Sequence, residues 1–212
     1  IKFTGVNPEK ITVTLESADE LPKGNEPVDE LIGKKFIMYI GRPTPHKNLR
    51  RLIDAFALLQ KKYPELTLAL AGKKDSNYTR HETYVNERGI KNVVFTGFIS
   101  DEQLRWMYEN TAVYCFPSLS EGFGLPGLEA MLHGAPVASS TATCLPETHG
   151  DAAHYFDPFS VEDIAKSIDD ILSDDKLRNE LVKKGKKHVK TFSWQRMAEQ
   201  TLAVYEKYGR KS

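Results

Sequence analysis

Arg42 and Lys47 stand five residues apart in "GRPTPHKN", and Glu121 and Glu129 stand eight apart in "SEGFGLPGLEAM". A guanidinium and an ammonium on one short loop suit a diphosphate, each charge-assisted hydrogen bond contributing about 1.5–3 kcal/mol. They could equally be two solvated surface charges, the commoner fate of long basic side chains. In the second stretch Gly122, Gly124 and Gly127 let a ligand approach the main chain with no Cβ in the way, and Pro126 suits the first turn of a helix. The N–H groups around Gly122, Phe123, Gly124 and Leu125 would then face an anion unpaired. Glu129 is expected in the first helical turn, where its carboxylate could accept from both hydroxyls of a ribose or pyranose diol. Glu121 is placed to do the same one step along the ligand. Acid, bare backbone and acid in that order suit a sugar, a phosphate and a ribose. The plainer readings are a helix-dipole partner for Glu129, worth about 0.3–1 kcal/mol, and an exposed loop acid for Glu121.

The same glycines spell GxGxxG, and Glu147 lies twenty residues beyond the last of them, as in dinucleotide sites. That pattern belongs after the first strand of its unit, with its acid closing the second. Here the glycines follow about the fourth strand and Glu147 falls past the end of the next, so a dinucleotide-binding oxidoreductase is the weaker reading. His46 beside Lys47 has no second His or Cys at ligand spacing and reads as a loop residue. No HExxH pair and no Asp-x-Asp pair occurs, and no metal is expected.

The elements that must carry these loops alternate in type. Strands are predicted at 35–41, 66–72, 93–99, 113–118, 136–141 and 153–157. Helices are predicted after Asn48, over about 78–88, over "DEQLRWMYEN" behind a Ser100/Gln103 capping box, and after the glycine bend with Pro126 and Glu129 in the first turn. Further helices are predicted from Ser160, over about 175–191 and over 194–208. Asn48 is expected to cap its helix and Pro64 to stop it. Regular βα alternation implies an α/β fold, a single Rossmann-like doubly wound parallel sheet with extra C-terminal helices. Ligands in such sheets bind beyond the carboxyl ends of the strands, which selects the loops after Ile40, Ala71, Phe98 and Ser118. Residues 1–34 read as an arm or interdomain linker, 35–193 as the domain and 194–212 as a terminal helix.

The chain has 212 residues with 29 basic and 29 acidic side chains, which argues against coating nucleic acid or an anionic membrane. Two cysteines, Cys115 and Cys144, make no disulfide framework and fit a reducing compartment. No apolar run is long enough to span a bilayer, and "IKFTGVNPEK" lacks a signal peptide's apolar segment and an initiator Met. The sequence is therefore expected to begin inside a longer protein.

At "GRPTPHKNLRRLIDAF", "LALAG", "NVVFTGFISDEQLRWMYENTAVYCFPSLSEGFGLPGLEAMLHGAPVASS", "LPETHGDAAHYFDP" and "FSW" the chain resembles the carboxy-terminal, donor-binding domain of retaining glycosyltransferases of family 4, one half of a GT-B fold. These pieces run in the family's order over roughly residues 35–208. The resemblance implies that Arg42 and Lys47 grip the donor's diphosphate, that Glu121 lies near the transferred hexose and that Glu129 holds the ribose. It also implies that Gly41, Gly122, Phe123, Gly124 and Leu125 meet sugar and phosphate, and that Gly72, Phe98 and Ile99 wall the base pocket. It further implies transfer of a hexose from GDP-mannose or a UDP-sugar to a glycan or lipid-linked acceptor, without metal or other cofactor. The acceptor site and its histidine would lie in an amino-terminal domain that this sequence does not contain. The last helix, with Trp194 and Tyr205, would pack toward that half, its aromatics serving either as core or as interface cover. A cytoplasmic location is implied, with any membrane attachment made through the other domain. The fragment is expected to bind donor without transferring it. A non-catalytic module that binds nucleotide sugars would use the same pocket.

Overall fold

The computed structural model describes residues 5–24 and 26–209, so the ends of the expected arm and terminal helix lie outside it, as does Asn25. Six strands form one parallel sheet in the order β3-β2-β1-β4-β5-β6. They are β1 (Phe36–Ile40), β2 (Thr67–Ala71), β3 (Val93–Gly97), β4 (Val113–Phe116), β5 (Val137–Ser140) and β6 (Ala153–Phe156). Between them run α1 (Leu49–Leu59), α2 (Ser76–Glu87), α3 (Asp101–Asn110), α4 (Leu125–Leu132) and α5 (Leu145–His149). After β6 come α6 (Val161–Ser173), α7 (Asp175–His188) and α8 (Trp194–Tyr208). The short α5 was not anticipated; the rest matches the expected α/β alternation.

Alternation along each strand feeds two cores. Ile37 and Tyr39 face one built with α1, α2 and α6; Phe36 and Met38 face another built with α3 and α4. The continuous apolar runs of β1 and β2 follow from this two-sided burial. In α1, Leu49, Leu52, Ile53, Phe56 and Leu59 are buried at the spacing of one helical face. The Ser100–Gln103 capping box of α3 is formed in both directions.

Two local expectations are corrected. The helix after Asn48 ends at Leu59, well before Pro64. Asn48 does flank it but makes no side-chain cap: it sits in the left-handed region at φ 59°. Its Nδ2 donates to the carbonyls of Pro117 at 2.9 Å and Pro158 at 2.8 Å, and its Oδ1 accepts from Arg51. The residue is a tie between the loops after β1, β4 and β6. The arm is corrected too. Among the described residues it has no strand or long helix, yet Val28 and Leu31 are buried in the α3/α4 core and Leu21 hydrogen-bonds to His133 and Arg105. Its last third is therefore part of the domain's packing. At the other end, α8 has no buried residue, and Leu202, Tyr205 and Tyr208 lie more than half exposed, so Tyr205 is not core.

Asn48→Ala should lower stability by about 2–3 kcal/mol in denaturant titration, since it orphans two buried carbonyls and leaves an alanine in left-handed geometry. A loss below the error of the fit would remove the tie. His149, fully buried at the end of α5, is held by burial at a pKa of about 4. The unfolded chain then carries the extra proton between about pH 6.5 and pH 4, so His149 removes stability as pH falls through that window, up to about 3 kcal/mol. Thermal unfolding of His149→Gln should show a flatter acid limb than the parent; parallel limbs would contradict the assignment.

Candidate functional site

The carboxyl ends of β1, β2 and β3 lie side by side as bare main chain. Gly41 N–H donates to the Ala71 carbonyl at 3.0 Å, and Gly72 N–H to the Gly97 carbonyl at 3.0 Å. Gly41 has φ 144°, and a Cβ on Gly72 would strike the Gly41 carbonyl oxygen, so neither position admits a side chain. Gly97, which the sequence reading passed over, completes this row at the close of β3. Phe98 and Ile99 follow in the loop, Phe98 almost wholly exposed and Ile99 packed on the α3/α4 core.

The loop after β1 and the loop after β4 meet. Lys47 Nζ lies 2.7 and 3.0 Å from the two carboxylate oxygens of Glu121, with both side chains largely shielded. A main-chain bond from Leu119 N–H to the His46 carbonyl, 2.7 Å, fastens the same loops. His46 itself is exposed, as expected of a loop residue. Arg42 is drawn elsewhere. Its Nε pairs with Asp75 at 3.0 Å, and its side chain is 71% exposed. Asp75 also caps α2 by accepting from Asn77 and Tyr78 N–H; the Arg42 hydrogen bond chiefly, then these, hold its carboxyl below the usual range. The two cations thus share a loop but answer to different carboxylates.

At the acid–glycine bend, Gly124 has φ 101° and begins α4 without a side-chain cap. Among the described residues, the N–H groups of Gly122, Phe123, Gly124 and Leu125 have no acceptor, the arrangement expected for an anion site. Glu121 is held from behind: its N–H donates to Thr143 Oγ1 at 3.1 Å and its carbonyl accepts from Cys144 Sγ at 3.3 Å.

Glu129 is the fifth residue of α4, in its second turn and not its first, because the helix starts at Leu125. Side chains lean toward a helix's N-terminus, which returns the carboxylate toward the mouth. It accepts from Tyr108 Oη at 3.3 Å, and burial raises its pKa, with Asp101 at the start of α3 and Asp19 of the arm adding repulsion. Glu129 therefore lies between α3 and α4. At this distance from the first turn the helix-dipole reading loses force.

The structure brings Lys47 to Glu121, and Gly41 to Gly72. It leaves the bend's N–H groups free, and it turns Arg42 toward Asp75. Glycine placement counts against the dinucleotide reading, since the bend follows β4 and Glu147 lies exposed in α5. Asp75, Thr143, Cys144 and His149 were missed as site residues. Only Asp75 had a local signal, as the N-cap in "DSN"; the others act through tertiary contacts. Among the described residues both cysteines are free, no three His, Cys, Asp or Glu side chains gather as metal ligands, and no helix is long and apolar enough to cross a membrane.

Residues 24–188 match the family model described as "Glycosyl transferases group 1". The O-antigen chain mannosyltransferase B of Escherichia coli is 35% identical over 183 residues, covering 84% of this chain and 47% of that protein. The MMP alpha-(1->4)-mannosyltransferase of Mycolicibacterium hassiacum is 33% identical over 207 residues, covering 95% of this chain and 49% of that protein. The chain thus spans about half the length of these relatives. Among solved structures, the C-terminal domain of a group 1 family glycosyl transferase from Francisella tularensis superposes with a TM-score of 0.67 at 31% identity, covering 75% of this chain and 86% of that one. The chain belongs to the group 1 glycosyl transferases, and its fold is that of their carboxy-terminal, Rossmann-like GT-B domain.

Proposed function

We propose that this chain is the donor-binding domain of a retaining hexosyltransferase that uses a nucleoside diphosphate sugar. The observation that carries the reading is the junction of Lys47 and Glu121 beside four unpaired N–H groups, with Glu129 one turn deeper. A diphosphate set against the bend accepts from main-chain N–H groups and from Lys47. Arg42 joins when the anion outcompetes Asp75, which is reachable because the Arg42 side chain is mostly in water. As the bond from the anomeric carbon to the phosphate oxygen breaks, negative charge grows on the leaving diphosphate, and these groups stabilise it. Glu121, with both oxygens already engaged by Lys47, serves as a fixed acceptor for hydroxyls of the hexose and not as a covalent nucleophile. On the same-face route, the departing phosphate takes the acceptor's proton. Glu129 accepts from the ribose diol, while Gly72, Phe98 and Ile99 line the base.

GDP-mannose is the favoured donor, because the two relatives compared are mannosyltransferases by name; a UDP-hexose is the alternative. No metal takes part on this reading, the cations being supplied by Arg42 and Lys47. The acceptor, a glycan or a lipid-linked glycan, would be held by the part of the enzyme that these 212 residues do not include. The exposed face of α8 and the apolar residues Ile11, Val13 and Leu15 of the arm are where that part would pack. The chain alone then binds donor without turnover, in the cytoplasm, with any membrane attachment made by the rest of the protein.

Calorimetry of the 212-residue chain against GDP, UDP, ADP and NADH, in buffer with EDTA, tests this. One nucleoside diphosphate should bind and NADH should not. Glu129→Ala should weaken that binding about tenfold, about 1.4 kcal/mol. Binding that requires added metal would overturn the metal-independent part, and unchanged affinity in the variant would remove Glu129 from the ribose.

A further inference from the structure

The acid–glycine bend has no cap of its own, yet its peptide planes are fixed, and the segment after β5 fixes them. At the near end, Thr143 and Cys144 hold the Glu121 carbonyl at 3.3 Å each. At the far end of α5, the buried imidazole of His149 places Nε2 3.2 Å from the Gly124 carbonyl, which also accepts from Gly127 N–H at 3.0 Å. A carbonyl oxygen only accepts, so Nε2 carries the proton, and Nδ1 is left to accept from Ser139 Oγ at 3.2 Å. The ring fills the space that a Cβ on Gly127 would take and lies against Phe116. Burial keeps it neutral.

The ring is itself braced. His188 Nε2 lies 2.7 Å from the carbonyl of Thr148, the residue before His149. The His188 ring meets Phe192 edge-on, with centroids 5.3 Å apart, and Phe192 meets Phe123 of the bend edge-on at 5.8 Å. Main chain and side chain of the bend are thus rooted in one circuit through α5 and the α7–α8 junction.

In a trans peptide the C=O and the next N–H point in opposite directions. A carbonyl of Gly124 pinned inward to His149 therefore aims the Leu125 N–H away from α5. The Glu121 carbonyl, pinned to Thr143 and Cys144, aims the Gly122 N–H in the same manner. We propose that His149 is a positioning residue for donor binding, which orients the bend's free N–H groups by holding the Gly124 carbonyl, with His188 and Phe192 as its brace. This rests on the reading of the bend as a diphosphate and sugar site.

Three measurements on the 212-residue chain test it. Nitrogen NMR of the unliganded protein should show His149 protonated at Nε2; a proton at Nδ1 would overturn the proposal, whatever the variants do. His149→Leu, which keeps bulk and loses the donor, should speed Gly127 amide exchange at least tenfold and weaken GDP or UDP binding about tenfold. His149→Gln, whose amide can still donate to Gly124, should return both to within about threefold of the parent. A leucine variant equal to the parent, or a glutamine variant as impaired as the leucine one, sinks the assignment. If the parent binds neither nucleotide, the donor reading fails, while tautomer and exchange still decide whether His149 orders the bend.

Discussion

The ion pair between Lys47 and Glu121 is what makes one site out of two loops. β1 and β4 are neighbours at the middle of the sheet, where the strand order turns, and crevices form at such points because adjacent connections leave in opposite directions. Left to itself that crevice could gape. The 2.7 Å contact closes it at side-chain level, the Leu119–His46 bond closes it at main-chain level, and Asn48 anchors the same stretch to the loops after β4 and β6. Because the pair is largely shielded, removing one partner would leave a charge without compensation, a costlier loss than that of an exposed pair. The two groups proposed to meet opposite ends of the hexose–phosphate bond are thus held together by the fold itself.

Electrostatically the site is graded. Lys47, paired with Glu121, and four unpaired N–H groups lie at its mouth, and Glu129, whose pKa burial raises, lies one helical turn along α4. A ligand with an anionic centre and a neutral polyol end fits that gradient, and a uniformly anionic one does not. The Arg42–Asp75 pair adds a reserve of positive charge. With the guanidinium mostly in water, the pair contributes little to stability, and its rupture on ligand entry costs correspondingly little.

Most of the scaffold was legible because its signals are local. Buried parallel strands read as unbroken apolar runs, α1 shows its stripe, and the box at Ser100 and Gln103 states where α3 begins. Arg42, Lys47, Glu121 and the glycines could be picked out by type and spacing, with the family resemblance supplying their expected roles. What escaped depends on partners distant in sequence. Asn48 looks like a cap until Pro117 and Pro158, 69 and 110 residues away, claim its amide. Val28 and Leu31 sit in a segment whose prolines and charges disguise its packing. The turn occupied by Glu129 was misjudged by one because Gly124, with its positive φ, and not a residue nearer Gly127, sets the helix start. Nothing beside His149 in the sequence announces Gly124.

The glycine row at the strand ends has a consequence for how such a domain can diversify. A surface made of main chain offers the same donors and acceptors whatever the sequence, and Gly41 and Gly72 cannot be replaced without collision. On the proposed function, preference between one nucleobase and another has to be written at the rim, above all at Phe98, whose side chain stands free in solvent. The floor stays constant under mutation, and the vocabulary of selectivity is confined to the few side chains that overhang it.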